Sequence, residues 1–284
     1  MNVGKQVRMN RLFSHSSGRF FSVAVDHFIG YDTGFPDGLR HIQPTVEAIV
    51  AGYPDAVTMH KGIATSVWPR YAGRVPMILQ GVAGRPDDKA YELVATPEDA
   101  VYLGADAFAV AAFVRGSTEG TYLRVVADCV REAARFDMPV ICHIYPRTND
   151  LKISYAPEDI AWAVRCAVEV GVDVVKTPYC GDIAAYAQIA RDCPVPLVAA
   201  GGPKSETLES ALAMIADVVR SGARGATVGR NIWGFDHITA AVLAFKAVVH
   251  DGKTLREALE VAGLWVRAGM SSVLERSQSM TWCM

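Results

Sequence analysis

Eight short apolar runs recur along the chain, each followed by a turn and most by a longer stretch with helical spacing. The runs are Phe20–His27, Ala56–Ile63, Pro76–Val82, Ala105–Val114, Pro139–Tyr145, Asp173–Pro178, Pro196–Gly201 and Gly225–Val228. They are apolar at successive positions rather than at alternate ones. That is the pattern of strands covered on both faces, as in a parallel sheet.

The segments between the runs have a helical period. Thr121–Phe136 sets apolar residues on one face and charges on the other. Pro157–Val170 opens with Pro157, Glu158 and Asp159, which suit a first turn, and Gly171 follows as a C-terminal cap. Ser205–Ser221 is expected to open at Ser205 and Glu206 and to end at Gly222, and Ile238–His250 is a further helix. From Thr254 onward the chain reads as one or two extra helices whose Leu, Val and Trp pack on the main body or on another subunit.

Strand–helix alternation permits an open doubly wound sheet or a closed barrel. Three features select the barrel. The count is eight, and 284 residues suit a single (β/α)8 domain spanning residues 1–284. No G-x-G-x-x-G follows the first run, where a dinucleotide fold would carry it. The polar residues also end many different runs: Asp26 and His27, His60 and Lys61, Gln80, His143 and Tyr145, Lys176, Gly201 and Gly202, Gly229 and Arg230. A barrel brings all these ends to one mouth, whereas an open sheet concentrates them at a switch point.

Charge and hydropathy narrow the partners. The net charge is −2 and no dense Lys/Arg run occurs, so no nucleic-acid partner is expected. No apolar stretch reaches 18 residues, so no membrane span is expected, and the N-terminus lacks the apolar centre of a secretion signal. A cytoplasmic protein is the expectation. None of the six cysteines forms a C-x-x-C pair, so reduced thiols are expected rather than a zinc knuckle.

Lys176 ends the run VDVVK. A lysine among apolar neighbours is costly to hold as an ammonium, and a neutral amine can attack a carbonyl to form a Schiff base. The plainer reading is a lysine that snorkels or pairs with a carboxylate. Two glycine-bearing run ends follow, VAAGGPKSET and GATVGRNIWG. Gly201, Gly202 and Gly229 would let backbone N–H groups approach a phosphate, and Lys204 and Arg230 would add charge. Plain turns remain the alternative. A phenol at Tyr145 and a carboxylate at Asp26 could move protons or bind a hydroxyl; alternatively they pack at a rim and cap a loop.

The ordered segments VDH, YPR, DVVKTPY, AGGPK and GRNIW resemble the DhnA-type branch of class I aldolases. That branch includes archaeal-type fructose-bisphosphate aldolase, aminodideoxy-heptulosonate synthase and the thiolase of autoinducer-2 breakdown. The resemblance spans roughly residues 20–250. It implies a (β/α)8 barrel in decamers or related homo-oligomers, acting without cofactor or metal on a small phosphorylated ketose or aldehyde. It also implies that Lys176 forms the Schiff base, that Tyr145 transfers protons and that Asp26 contacts substrate. The same resemblance assigns Gly201, Gly202, Lys204, Gly229 and Arg230 to the phosphate. His27 and His143 are expected to bind substrate oxygens. The chain departs from the family's common MDHG by reading VDHF, so Phe28 is expected to narrow the mouth. YPRG becomes YPRT at Thr148.

Three other readings stand beside this one. His27, His60, His143 and Asp26 could bind zinc, as in metal-dependent aldolases. Lys176 could serve transaldol or acyl transfer. A non-catalytic sugar-phosphate sensor is disfavoured by the joint presence of Lys176, Tyr145 and Asp26.

Overall fold

The computed structural model describes residues 2–29 and 34–264. Eight strands follow the apolar runs: β1 (Phe20–Ala24), β2 (Ala56–His60), β3 (Met77–Gln80), β4 (Ala107–Val114), β5 (Val140–Pro146), β6 (Val174–Thr177), β7 (Leu197–Ala200) and β8 (Gly225–Val228). Every neighbouring pair is parallel, and β1 pairs with both β2 and β8, which closes a (β/α)8 barrel.

Strand alternation divides each run into an inward and an outward set. The inward set changes character along the barrel axis. Near the N-terminal ends, Phe20, Ala56, Ile78, Ala107, Ile141, Val174 and Val198 form one apolar cluster. Two residues further along the same inner faces stand the buried polar groups Ser22, Thr58, Gln80, His143 and Lys176. The Ser22 hydroxyl donates to Thr227 Oγ1 at 2.8 Å across the β1–β8 pair. The barrel is therefore apolar at its base and polar at its mouth.

The helix Val3–Leu12 covers that base. Met9 and Leu12 join the inner apolar cluster, Phe13 packs against it, and Lys5 reaches Asp173 at 2.9 Å. The sequence reading did not include this helix, because its apolar positions are few and lie within a polar segment. The helices at Glu119–Ala134, Pro157–Glu169 and Ile238–Val249 match their expected spans to within two residues. Gly171 follows the second of these at φ +86°, the left-handed conformation that suits glycine in a helix stop.

Two expectations change. The helix expected from Ser205 begins at Leu208, with Thr207 and Ser210 forming a capping box. Ser205 is held instead by its neighbour across the mouth: its backbone N–H donates to Asn231 Oδ1 at 2.8 Å. Of the C-terminal extra helices, Leu255–Val261 is present, and the remainder of that segment, from residue 265, lies outside the described residues.

A short antiparallel hairpin, Val82–Gly84 with Tyr91–Leu93, follows β3. It is fastened by Arg147, whose side chain is fully buried. The guanidinium donates to Asp88 Oδ1 at 2.6 Å, to Pro86 O at 2.8 Å and to Thr118 Oγ1 at 2.8 Å. Tyr122 also bonds Asp88. Removing Arg147 leaves the Pro86 carbonyl and Thr118 Oγ1 without their donor, while Asp88, a quarter exposed, keeps some contact with water. Arg147→Met should lower the unfolding free energy by about 2 kcal/mol, the cost of polar groups left unpaired, read from a denaturant titration. A loss below roughly 0.5 kcal/mol, within the range of ordinary surface substitutions, would mean that the clasp contributes little.

Candidate active site

Lys176 lies on β6, directly beside His143 of β5 in the register of the two strands. Its side chain points into the barrel mouth and is only 5% exposed. Burial pushes the amine down to about 8, against the ordinary 10.5. The Asp26 charge resists that shift and the Arg230 charge adds to it. Roughly a tenth of the amine is therefore neutral at pH 7, far more than for an ordinary lysine.

Lys176, Tyr145, Asp26, His27, His143, Gly201, Gly202, Gly229 and Arg230 line one cavity of about 360 Å³. The loops after β1 and β8 and strands β3, β5, β6 and β7 all contribute to it. Val82, Phe113, Ile153 and Pro178 add apolar lining.

Asp26 follows β1. Burial would raise its pKa, but the His27 hydrogen bond and the charges of His27 and Lys176 outweigh it and hold the carboxyl well below the usual range. Asp26 Oδ1 stands 3.3 Å from His27 Nδ1, and Asp26 Oδ2 accepts from Gln80 Nε2 at 3.0 Å. The His27 ring meets Trp233 edge-on at 5.4 Å, and the Trp233 indole N–H donates to Ala24 O at 2.9 Å. Gly229 makes room for this ring: a Cβ there would stand 2.4 Å from His27 Cε1. His143 is buried, and its desolvation together with the Lys176 and His27 charges drives its pKa well below 6.5, against the opposing pull of Asp26. Tyr145, two residues beyond it on the same face, stacks near Phe113 with ring centroids 6.0 Å apart.

The glycine-bearing ends of β7 and β8 form the rim beyond Lys176. Gly202 adopts φ +70°, a conformation that strains any residue with a Cβ. Arg230 Nη2 donates to Gly202 O at 2.9 Å. Asn231, which the sequence reading left out of the site, donates to Gly201 O at 2.8 Å and Pro203 O at 2.9 Å. The two loops are thus braced against each other with backbone near the cavity. The signal for Asn231 was its place in GRNIW, directly after Arg230.

Three expected placements differ. Lys204 lies on an adjacent cavity with Phe35, His41 and Phe235, where its amine stands 5.0 Å from the Phe235 ring. It turns that way because its stem runs over Gly234, which leaves space only for a hydrogen. Phe28 is 52% exposed and meets the Phe35 ring at a tilt with centroids 4.8 Å apart, and the neighbouring Ile29 lines the cavity instead. His60 is turned to the Gln80 carbonyl at 3.2 Å and does not line the cavity with His27 and His143. Among the described residues no three His, Cys, Asp or Glu side chains form a metal-binding group.

A family model described as DeoC/LacD family aldolase matches residues 20–234. The chain belongs to this aldolase family. It is 31% identical over 263 residues to the 2-amino-4,5-dihydroxy-6-oxo-7-(phosphonooxy)heptanoate synthase of Streptomyces griseus, which covers 91% of this chain and 95% of that one. It is 33% identical over 271 residues to the 2-amino-3,7-dideoxy-D-threo-hept-6-ulosonate synthase of Halobacterium salinarum, covering 94% of this chain and 99% of that one. Among solved structures it is similar to an archaeal fructose-1,6-bisphosphate aldolase whose catalytic Lys is covalently bound to the carbinolamine intermediate of the substrate. The identity is 27% and the TM-score 0.77, covering 87% of this chain and 99% of that one. Membership in the family makes the protein a carbon–carbon lyase. No helix among the described residues of the aldolase is long and apolar enough to cross a membrane.

The amine supplies a pH prediction. Its neutral fraction grows as pH rises through about 8, so the rate at which Lys176 is modified by an amine-directed reagent should climb over the same range. Arg230→Gln removes a charge that lowers this pKa, so the rise should move to higher pH. Peptide mapping after timed modification measures both. An unchanged midpoint in the variant would remove Arg230 from the tuning.

Proposed function

We propose that the protein is a Schiff-base aldolase that cleaves or forms a phosphorylated ketose through an imine on Lys176. The observation that carries this reading is the buried Lys176 amine, lowered to about 8, in one cavity with Asp26 and Tyr145.

The substrate phosphate rests against the backbone at Gly201, Gly202 and Gly229, with Arg230 supplying charge. Its ketone then lies over β6. The neutral amine attacks the carbonyl carbon, and the carbinolamine hydroxyl leaves as water with a proton donated by Tyr145, which gives a protonated imine and a phenolate. That imine accepts the electron pair of the carbon–carbon bond as it breaks, which leaves an enamine on the lysine. The hydroxyl that becomes the departing aldehyde loses its proton through Tyr145, assisted by ionised Asp26. Protonation of the enamine carbon and hydrolysis of the imine release the keto phosphate and restore the amine. The same groups run the condensation in reverse.

The relatives' names bear on the two halves of the substrate. The Streptomyces product carries a ketone flanked by a phosphonooxy-bearing carbon and a hydroxyl-bearing carbon. Fructose 1,6-bisphosphate, named for the archaeal structure, has the same arrangement at its ketone. The shared fragment is dihydroxyacetone phosphate, and we assign it to the half held by Lys176. The partner aldehyde differs between the two. Because the synthases match this chain about as well, at 31% and 33% identity, as the class 1 fructose-bisphosphate aldolase of Thermoproteus tenax does at 34%, an amino-acid semialdehyde is the reading we place beside glyceraldehyde 3-phosphate. Transaldol transfer from a ketose phosphate, without release of the keto fragment, uses the same imine. We also propose a homo-oligomeric assembly.

Borohydride reduction in the presence of dihydroxyacetone phosphate should fix that fragment's mass on the peptide holding Lys176. Lys176→Ala should abolish both the adduct and turnover while keeping the fold; turnover retained in that variant would overturn the mechanism. Tyr145→Phe should still form the adduct but cleave about 10²- to 10⁴-fold more slowly, the usual contribution of a positioned acid or base. A wild-type cleavage rate would take Tyr145 out of the proton path.

A further inference from the structure

Gln80 sits at the end of β3 and touches three partners. Its Oε1 accepts from the backbone N–H of Val82 at 3.1 Å. Its Nε2 lies 3.0 Å from Asp26 Oδ2 and 3.1 Å from His143 Nδ1. The Val82 contact settles the orientation of the amide. A backbone N–H can only donate, so the group facing it must be the amide oxygen. The NH2 group therefore faces both Asp26 and His143, and its two hydrogens serve one each.

This has a consequence for the imidazole. An amide NH2 has no lone pair to offer, so His143 Nδ1 must be the acceptor and cannot carry a proton. The proton of the neutral ring is then on Nε2, and the imidazolium, with protons on both nitrogens, is incompatible with the contact. The surroundings agree. His143 is 4% exposed, and the charges facing it are Lys176, His27 and Asp26, of which only Asp26 favours protonation. Because His143 lines the cavity and Nδ1 is turned back to Gln80, Nε2–H is the edge the ring can present to a ligand.

We propose that Gln80 is a positioning residue that locks His143 as the neutral Nε2–H tautomer, so that His143 serves as a hydrogen-bond donor to a substrate oxygen and not as an acid or a base. Its partner is an acceptor oxygen, a hydroxyl or the carbonyl of the departing aldehyde. The single amide also ties Asp26 to the same unit, so its loss frees both. The role in substrate binding rests on the aldolase reading above; the tautomer itself does not.

The test uses the full-length protein labelled with 15N in histidine, examined by solid-state NMR, with the His143 signals assigned by their loss in His143→Asn. The expected wild-type result is one protonated ring nitrogen, Nε2, and one bare nitrogen, Nδ1, unchanged as pH is lowered through the ordinary histidine value of about 6.5. In Gln80→Leu and in the near-isosteric Gln80→Met, the ring should populate both tautomers or titrate, and the pH–rate profile of cleavage should gain a limb the wild type lacks. Borohydride trapping on Lys176 should persist in both variants, with kcat reduced more than KM is raised. A wild-type Nδ1–H tautomer or an imidazolium near neutral pH would overturn the proposal, as would an unchanged His143 spectrum in both folded variants. Failure of wild-type trapping, with the Nε2–H spectrum intact, would strike the aldolase reading and leave the lock standing.

Discussion

An amine enclosed in a barrel of parallel strands has no good way to remain fully charged, and much of this molecule is arranged around that constraint. Lys176 sits on the inner face of β6 with almost no exposed surface. The nearby Asp26 charge moderates its loss of proton affinity but does not reverse it. Asp26 in turn stays ionised because His27 and Gln80 hydrogen-bond it. Burial pushes both groups toward neutrality, yet the surroundings keep the acid charged and leave the amine divided between its two forms. Both pKa values are lowered, and an ionised acid beside a partly neutral amine in one cleft suits nucleophilic and proton-transfer chemistry.

The same inner faces do two jobs along the barrel axis. Residues two apart on a strand share a face, so Ile141 and His143, or Val174 and Lys176, differ only in height. The lower layer is apolar and is capped from below by Met9, Leu12 and Phe13. The upper layer carries the polar groups, and there one amide, Gln80, serves three of them at once: Asp26, His143 and the Val82 backbone N–H. Unmet polar groups in such surroundings would each cost about 1–3 kcal/mol.

The rim is built from loops held by side chains. Asn231 and Arg230 clasp the carbonyls of the β7 loop, and Arg147 binds the hairpin after β3 to the helix at Glu119–Ala134 through Thr118 and Asp88. Arg147 belongs to the YPR segment, but its charge is used for this clasp, whereas Tyr145 of the same segment faces the cavity. Tyr145 still stands on β5, whereas Arg147 lies just past its end at Pro146, where strand alternation no longer sets which way a side chain turns.

All eight strands and the gathering of Lys176, Tyr145, Asp26, His27 and His143 at one mouth were legible in the chain. Continuous apolar runs ending in polar residues leave a parallel barrel few other arrangements. The capping helix Val3–Leu12 was not legible, since its four apolar side chains, Val3, Val7, Met9 and Leu12, carry no period strong enough to mark it. Nor was the direction of Lys204 and Phe28: both stand in loops, where no strand or helix period sets which way a side chain faces. The partnership of Gln80 with Asp26 and His143 joins residues 54 and 63 positions apart. The sequence by itself determined which residues stand at strand ends, because hydrophobic patterning is a local property of the chain. Only the tertiary structure decided which of them touch, which proton sits where and how far the Lys176 amine is lowered, because those depend on distances and burial that exist only once the barrel has closed.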